Sequence, residues 1–321
     1  MTFGHSHAIL SLICDLDSKR MTTGKQPIWH RLLTLLPLFL VLLANACQPQ
    51  AVAAPGGTPV SSRTIENKGS DTMVNLALAW AEAYAKVRPD VRISVTGGGS
   101  GTGIAALING TVDIANASRA LSEEEKAAAR RAGFEAKEIV VAMDAIAVVV
   151  HPSNPVSELT IPQLADIFTG RITNWKEVGG PDRPIVLLSR ESNSGTYVYF
   201  LEHVVRQGRK DSQDLFAPGA LLMPSSEGIS NEVRQNPNAI GYDGLGYVTE
   251  GQKTLRIAAK AGDEYIPPTV ETVLSGRYPI ARPLYVITRG EPTGEVAAYL
   301  EWIKGPEGQA IVRELGFVPL S

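Results

Sequence analysis

Residues 91–109 read VRISVTGGGSGTGIAALIN, and the order of residue types in them decides the fold. Val91, Ile93 and Val95 alternate with Arg92 and Ser94, the period of a half-buried strand. The glycine-rich turn Gly97 to Gly103 follows, and Ile104 to Asn109 has helical spacing. The same strand–turn–helix unit stands on both sides. Upstream, Thr64 to Lys68 predicts a short strand ended by Gly69-Ser70. Met73 to Val87 predicts a helix with Val74, Leu76, Leu78, Ala81 and Tyr84 on its covered side, stopped by Pro89. Downstream, Val112 to Asn116 reads as a strand, and Ser122 to Glu125 is a capping box that opens a helix through Arg131.

Ala145 to Val150 predicts a buried strand, closed by the proline-rich His151 to Pro155, a natural domain boundary. Further strands are expected near Ile185 to Leu188, Ile240 to Val248, Leu255 to Ala258 and Leu284 to Thr288. Helices are expected near Pro162 to Thr169, Gly195 to Arg206, Gly294 to Lys304 and Pro306 to Leu315. This alternation argues for an α/β architecture with parallel strands.

At 321 residues the chain can hold two packed domains, and 44% hydrophobic with 20% charged residues is ordinary for a globular protein. A formal charge of −3 speaks against a nucleic-acid binder. Two cysteines, Cys14 and Cys47, are too few for a disulfide scaffold or a four-cysteine metal site.

The N-terminal region reads as an address. Leu32 to Leu43 is a short apolar run behind Lys25, His30 and Arg31, too short for a membrane span of roughly 20 residues and suited to a secretory signal. Small residues then lead into Cys47, as in a bacterial lipobox, where the cysteine is lipidated. Cleavage after Ala44-Asn45-Ala46 or Ala51-Val52-Ala53 is the alternative. The expected division is residues 1–20 as an over-extended start or unstructured segment, 21–46 as signal peptide and 47–63 as a flexible tether. Losing residues 1–46 removes four basic and two acidic residues and leaves a charge of −5.

Three loops share one chemical design. They are Lys68 to Met73, Gly97 to Gly103 with Ser100, and Ser189 to Thr196 with Arg190. Each joins a predicted strand to a helix start, where backbone N–H groups lack partners and the dipole is positive. Small residues let an oxyanion approach such a backbone closely. The alternative for any single loop is that Ser, Thr and Gly only cap a helix. A fourth strand end, Asp113 to Arg119, offers Ser118 as a donor, while Arg119 either adds charge or pairs with Glu123 to Glu125.

Competing motifs are weak. There is no P-loop, and Gly98 to Thr102 lacks the last glycine of a nucleophile elbow. Gly101 to Ala106 matches only the relaxed dinucleotide pattern. His151 and His203 lack metal-ligand spacing. No metal, cofactor or catalytic residue is expected.

Taken together, Gly69 to Met73, Gly98 to Gly103, Asp113 to Arg119, Ile167 to Trp175, Arg190 to Thr196 and Ile240 to Tyr242 resemble the phosphate-binding proteins of bacterial Pst-type ABC importers. The resemblance spans Thr64 to Ser321 and implies a type II periplasmic-binding-protein fold: two α/β domains joined by two crossover strands, with the ligand cleft between them. It implies a domain I from residues 64–148 and 282–321, a domain II from 149–281, and crossings near Val148 to Pro152 and Ile280 to Leu284. It assigns phosphate to Ser70, Asp71, Thr72 and the Met73 backbone, to Ser100 and Ser118, and to Arg190, Ser194, the Gly195 backbone and Thr196.

Asp71 is expected either to accept the proton of hydrogen phosphate or to cap the following helix. The implied function is non-enzymatic capture of inorganic phosphate by a monomeric extracytoplasmic lipoprotein. Its partners would be the permease subunits and, through the lipid, the membrane. Another oxyanion, such as sulfate or a phosphorylated small molecule, and an anion-sensing role are the alternatives.

Overall fold

The computed structural model describes residues 63–320. The expected signal peptide, Cys14, Cys47, the first histidines and the expected tether up to residue 62 lie outside the described residues. Among the described residues, no helix is long and apolar enough to cross a membrane.

The strands are β1 (Arg63–Gly69), β2 (Val91–Thr96), β3 (Ile114–Ala117), β4 (Ala136–Val150), β5 (Glu158–Thr160), β6 (Val186–Arg190), β7 (Leu221–Met223), β8 (Ala239–Gly244), β9 (Lys253–Thr254), β10 (Arg256–Ala258) and β11 (Ala281–Arg289). Eight of them form the path β2-β1-β3-β11-β4-β8-β6-β7, and β9 also pairs with β4. The expectation of parallel strands holds at the two ends of the sheet and fails in the middle. β1 lies parallel to β2 and β3, and β6 lies parallel to β7 and β8. β11 and β4 run antiparallel to each other and to their outer neighbours β3 and β8.

β4 is 15 residues long, and its predicted segment is only its last part. It pairs with β11 as far as Ala145↔Ala281 and with β8 from Ile146↔Gly244 onward. One strand therefore belongs to both halves of the sheet. Its end, Ala145 to Val150, is fully buried, so it reads as a continuous apolar run.

The helices are α1 (Val74–Val87), α2 (Ser100–Ile108), α3 (Glu123–Arg131), α4 (Ile161–Phe168), α5 (Gly195–Phe200), α6 (Ser226–Gln235), α7 (Val270–Leu274), α8 (Gly294–Lys304) and α9 (Pro306–Glu314). The Ser122–Glu125 capping box of α3 is formed as expected. A π turn, Leu201–Val205, continues α5. The strands β5 and β7 and the helices α6 and α7 had no distinct signal in the sequence.

One apolar face differs from expectation. α1 buries Leu76, Ala77, Trp80 and Tyr84, while Leu78 is 48% exposed. Trp80 sets this rotation: its ring is buried and its Nε1–H donates to Gly308 O at 2.9 Å. Trp175 behaves likewise in the other half, buried and donating to Asn238 O at 3.0 Å. The two largest clusters follow this division. One gathers Trp80, Tyr84, Tyr299 and Phe317, and the other gathers Phe168, Trp175, Phe200 and Tyr242. Phe200 and Tyr242 stack at 3.8 Å.

α2 lies directly on the end of β1, which Gly103 permits. A Cβ there would stand 2.4 Å from Lys68 O and 2.6 Å from Gly69 Cα. Both neighbours are backbone and cannot swing aside. Gly103→Ala should therefore lower the unfolding free energy by about 1–3 kcal/mol, the usual range for overpacking. A urea titration with an unchanged midpoint would refute this close approach.

Candidate functional site

The site is built from strand ends. β1 ends at Gly69, and Ser70 leads into a 3₁₀ turn, Asp71–Met73, that runs into α1. Gly99 precedes α2 with φ +90°, a conformation that favours glycine. A Cβ on Gly99 would meet Asn193 O at 2.7 Å, so glycine also makes room for the loop of β6. Ser118 follows β3, and Ser194 to Thr196 follow β6.

These ends bring the predicted hydroxyls together. Ser70, Thr72, Ser100, Ser118, Ser194 and Thr196 are all buried. The Ser70 hydroxyl donates to Ser118 Oγ at 2.9 Å, and Ser118 Oγ shares a 3.3 Å hydrogen bond with Ser100 Oγ. Ser118 N donates to Ser100 Oγ at 3.1 Å. Thr72 and Thr196 share a 2.7 Å bond between their hydroxyls, joining the loops of β1 and β6. Gly195 passes so close that a Cβ would stand 2.3 Å from Ser100 Oγ and 2.6 Å from Ser118 Oγ.

Two predicted donors are engaged within their own turns. Met73 N donates to Ser70 O at 3.0 Å, and the Met73 side chain is core. Ser194 Oγ accepts from Thr196 N and Tyr197 N, capping α5.

Of its two expected roles, Asp71 does not take that of capping the following helix. Its helix start shows no side-chain cap bond. Instead Asp71 Oδ1 accepts from Gly98 N at 3.0 Å, and Oδ2 pairs with Arg190 Nη2 at 3.1 Å. The carboxylate thus ties three loops together. Asn193 adds to the same junction: its O accepts from Gly101 N at 3.0 Å and its Nδ2 donates to Gly98 O at 2.9 Å.

Arg190 is fully buried and held on several sides. Nε donates to Met223 O, Nη1 to Ser226 Oγ, and Nη2 to Pro224 O as well as Asp71. Ser226 passes the contact on, donating to Asp243 Oδ1 at 2.8 Å. Burial pushes the Asp243 carboxyl up to about 6, against the opposing field of Arg190 and the hydrogen bonds from Ser226 and Gly244 N. Arg119, the other arginine considered, pairs with Glu125 at 2.7 Å and takes the structural alternative. His151 bonds with Ser153, and His203 stacks on Tyr199.

Sequence reasoning missed Asp144, Asp243, Ser226 and Arg282, and gave Asn193 no role. Arg282 and Asp144 form an ion pair at 2.8 Å with both side chains wholly buried. Burial pushes the Asp144 carboxyl up, against the pull of Arg282. The available signal was a charge inside an apolar strand: such a charge is almost never fully buried unless paired.

A nest of buried hydroxyl donors beside a buried arginine suits a small tetrahedral oxyanion, which needs several donors converging from different directions. Comparison with known proteins bears on the same point. The PBP superfamily domain matches residues 53–307. The phosphate-binding protein PstS of Pseudomonas aeruginosa is 33% identical over 276 residues, which are 81% of this chain and 84% of that protein. A Clostridium perfringens substrate-binding protein with bound phosphate matches with a TM-score of 0.72 and 34% identity, over 81% of this chain and 100% of the other. An ABC-type phosphate transport receptor from Vibrio cholerae matches with a TM-score of 0.63 and 31% identity, over 79% of this chain and 99% of the other. The architecture is accordingly the type II periplasmic-binding fold. The chain belongs to the PBP superfamily and, within it, to the family of the phosphate-binding proteins PstS.

Proposed function

We propose that this protein is a non-enzymatic, extracytoplasmic solute-binding protein that captures inorganic phosphate and delivers it to the permease of an ABC importer. The observation that carries this reading is the meeting of hydroxyls from separate strand ends, Ser70 and Ser100 with Ser118 and Thr72 with Thr196, where Ser100 and Ser118 pack against the Gly195 backbone. In this reading a monomer binds one anion, and lipidated Cys47 anchors it to the membrane. The lobes are residues 64–148 with 282–321, and residues 149–281. The anion sits where their loops meet, and closure of one lobe on the other buries it.

Each part has a chemical task. Thr72, Ser100, Ser118 and Thr196 donate hydroxyl protons, while the Gly195 N–H and Ser194 present the positive end of α5. Arg190 supplies the countercharge. Hydrogen bonds to a charged group contribute roughly 1.5–3 kcal/mol each, so a handful supports micromolar or tighter binding after the cost of association. The local donors decide the sign of the field at the site, so an overall negative charge is no obstacle. A carboxylate accepts a proton but offers none. Asp71 therefore favours hydrogen phosphate over sulfate, which brings no proton to share.

Calorimetric titration of anion-stripped protein near pH 7 is expected to show one-to-one phosphate binding. Gly195→Ala should weaken that binding at least ~10-fold, since its Cβ displaces two donor hydroxyls, and a hydrogen bond to a charged group is worth about one decade or more. A variant that binds as tightly as the parent would overturn the site. Asp71→Asn should bring phosphate and sulfate affinities closer together by about a decade. An unchanged ratio would remove Asp71 from selectivity.

Asp243 makes stability depend on pH. Its carboxyl protonates at about 6 in the folded chain but near 3.8 when unfolded. Between those values the folded state holds the extra proton, so this contribution to stability grows as pH falls through 6 and levels off below about 4. Asp243→Asn keeps an acceptor for Ser226 and Gly244 and removes the buried charge. It should raise the stability by up to ~3 kcal/mol at pH 7.5, with the gain vanishing near pH 4. Melting curves with a pH-independent difference between the two proteins would contradict this.

A further inference from the structure

Arg282 makes four hydrogen bonds, and they connect the two halves of the site. It faces Asp144 across the β11–β4 pairing, one residue pair from where β4 exchanges β11 for β8. Nε and Nη2 both donate to Asp144 Oδ2, at 3.1 and 2.8 Å. Asp144 Oδ1 is fixed in turn by Leu245 N at 3.1 Å. The remaining contacts reach the anion loops. Nη1 donates to Ser118 O at 3.0 Å, and Nη2 donates to Thr196 Oγ1 at 3.0 Å. Ser118 follows β3 in one half of the sheet, and Thr196 follows β6 in the other.

This geometry has a chemical consequence at Thr196. A hydroxyl has one proton and two lone pairs. Donation from Arg282 engages lone-pair density on Thr196 Oγ1 and so biases the hydroxyl to act as a donor. That is the polarity an oxyanion requires. At Ser118 the same guanidinium holds the backbone whose Oγ meets Ser70 and Ser100. Stability alone gives little reason to keep such a pair, because a buried ion pair is often no more stabilising than apolar residues of similar volume.

We propose that Arg282, held by Asp144, is a positioning residue of the phosphate site that turns Thr196 into a donor and fixes Ser118 against it. The inference rests on the phosphate reading above. Arg282 also brings a second guanidinium charge to the cage beside that of Arg190, and a lysine in its place would keep the charge without reaching both loops at once.

The experiment is phosphate titration of the full chain, with melting curves to identify folded variants. Arg282→Lys and the double variant Asp144→Asn/Arg282→Gln are each expected to weaken phosphate binding at least ~10-fold, with the lysine variant the less impaired because its charge remains. Arg282→Lys keeps the buried pair and decides the matter if the double variant does not fold. A cycle with Thr196→Val separates positioning from general loosening. If Arg282 acts through Thr196, the combined loss stays well below the product of the single losses. Independent, multiplicative losses would overturn the proposal. So would a folded Arg282 variant that binds within about threefold of the parent, less than the decade one charged hydrogen bond is worth. A parent chain that binds no phosphate would fail differently, overturning the functional reading together with this inference.

Discussion

Everything at this site depends on how closely backbone can approach backbone and hydroxyl. Gly69, Gly99, Gly103 and Gly195 each stand where a Cβ would fall under 3.0 Å from another atom. At Gly69 that atom is Asn116 O, and at Gly99 it is Asn193 O. Side chains at these points would hold the loops apart by more than the reach of a hydrogen bond. The hydroxyls would then face water rather than one another. The glycines therefore set the scale of the cage, and serine and threonine, short enough to work at that scale, line it.

Charge is the second constraint. Arg190 and Arg282 are both fully buried, and each would be costly without partners. Asp71 and Asp144 answer them in different ways. Asp144 is itself wholly buried and lies on the strand that both halves of the sheet share, so its pair with Arg282 is part of the framework. Asp71 retains some solvent exposure and reaches Arg190 from the loop of β1, so that pair joins parts the sequence keeps far apart. Asp243 stands behind Arg190 through Ser226, with Oδ2 lacking a hydrogen-bond partner among the described residues. Its raised pKa follows from that incomplete solvation.

Much of this was legible before the fold was known, and the division is physical. Local rules found what is local. The capping box at Ser122, the strand–glycine–helix unit around Ser100 and the terminal helices α8 and α9 follow from short-range spacing. The hydroxyl loops were legible because close backbone approach restricts residue type to a small set. What escaped depends on tertiary neighbours. The face of α1 was misjudged at Leu78 because Trp80, seated against Gly308, sets the helix rotation. The first part of β4 carries no clean alternation, since its exposure changes as it passes between partners. Arg282 and Asp144 are 138 positions apart, and nothing short-range links them. Asp71 stood out in its loop, but its partner Arg190, 119 positions away, was visible only in the folded chain.

The ties between the loops are mostly polar, and this bears on how such a site can open. Thr72 with Thr196, Asp71 with Arg190, Asn193 with Gly98 and Asn75 with Glu227 are all hydrogen bonds or ion pairs. The main apolar clusters gather on either side of this junction. A polar contact can be exchanged for water at a net cost of only about 1 kcal/mol, whereas separating packed apolar surface costs roughly 25 cal/mol for every Å² exposed. The polar contacts along the seam can therefore be given up to water more cheaply than the packing within either cluster. β4 runs through the exchange as one continuous strand, leaving β11 at Ala145 and taking up β8 at Ile146. On the proposed reading, an anion entering such a seam replaces water on donors that the strand ends already hold in place. Binding then orders little new backbone, which keeps its entropic cost small.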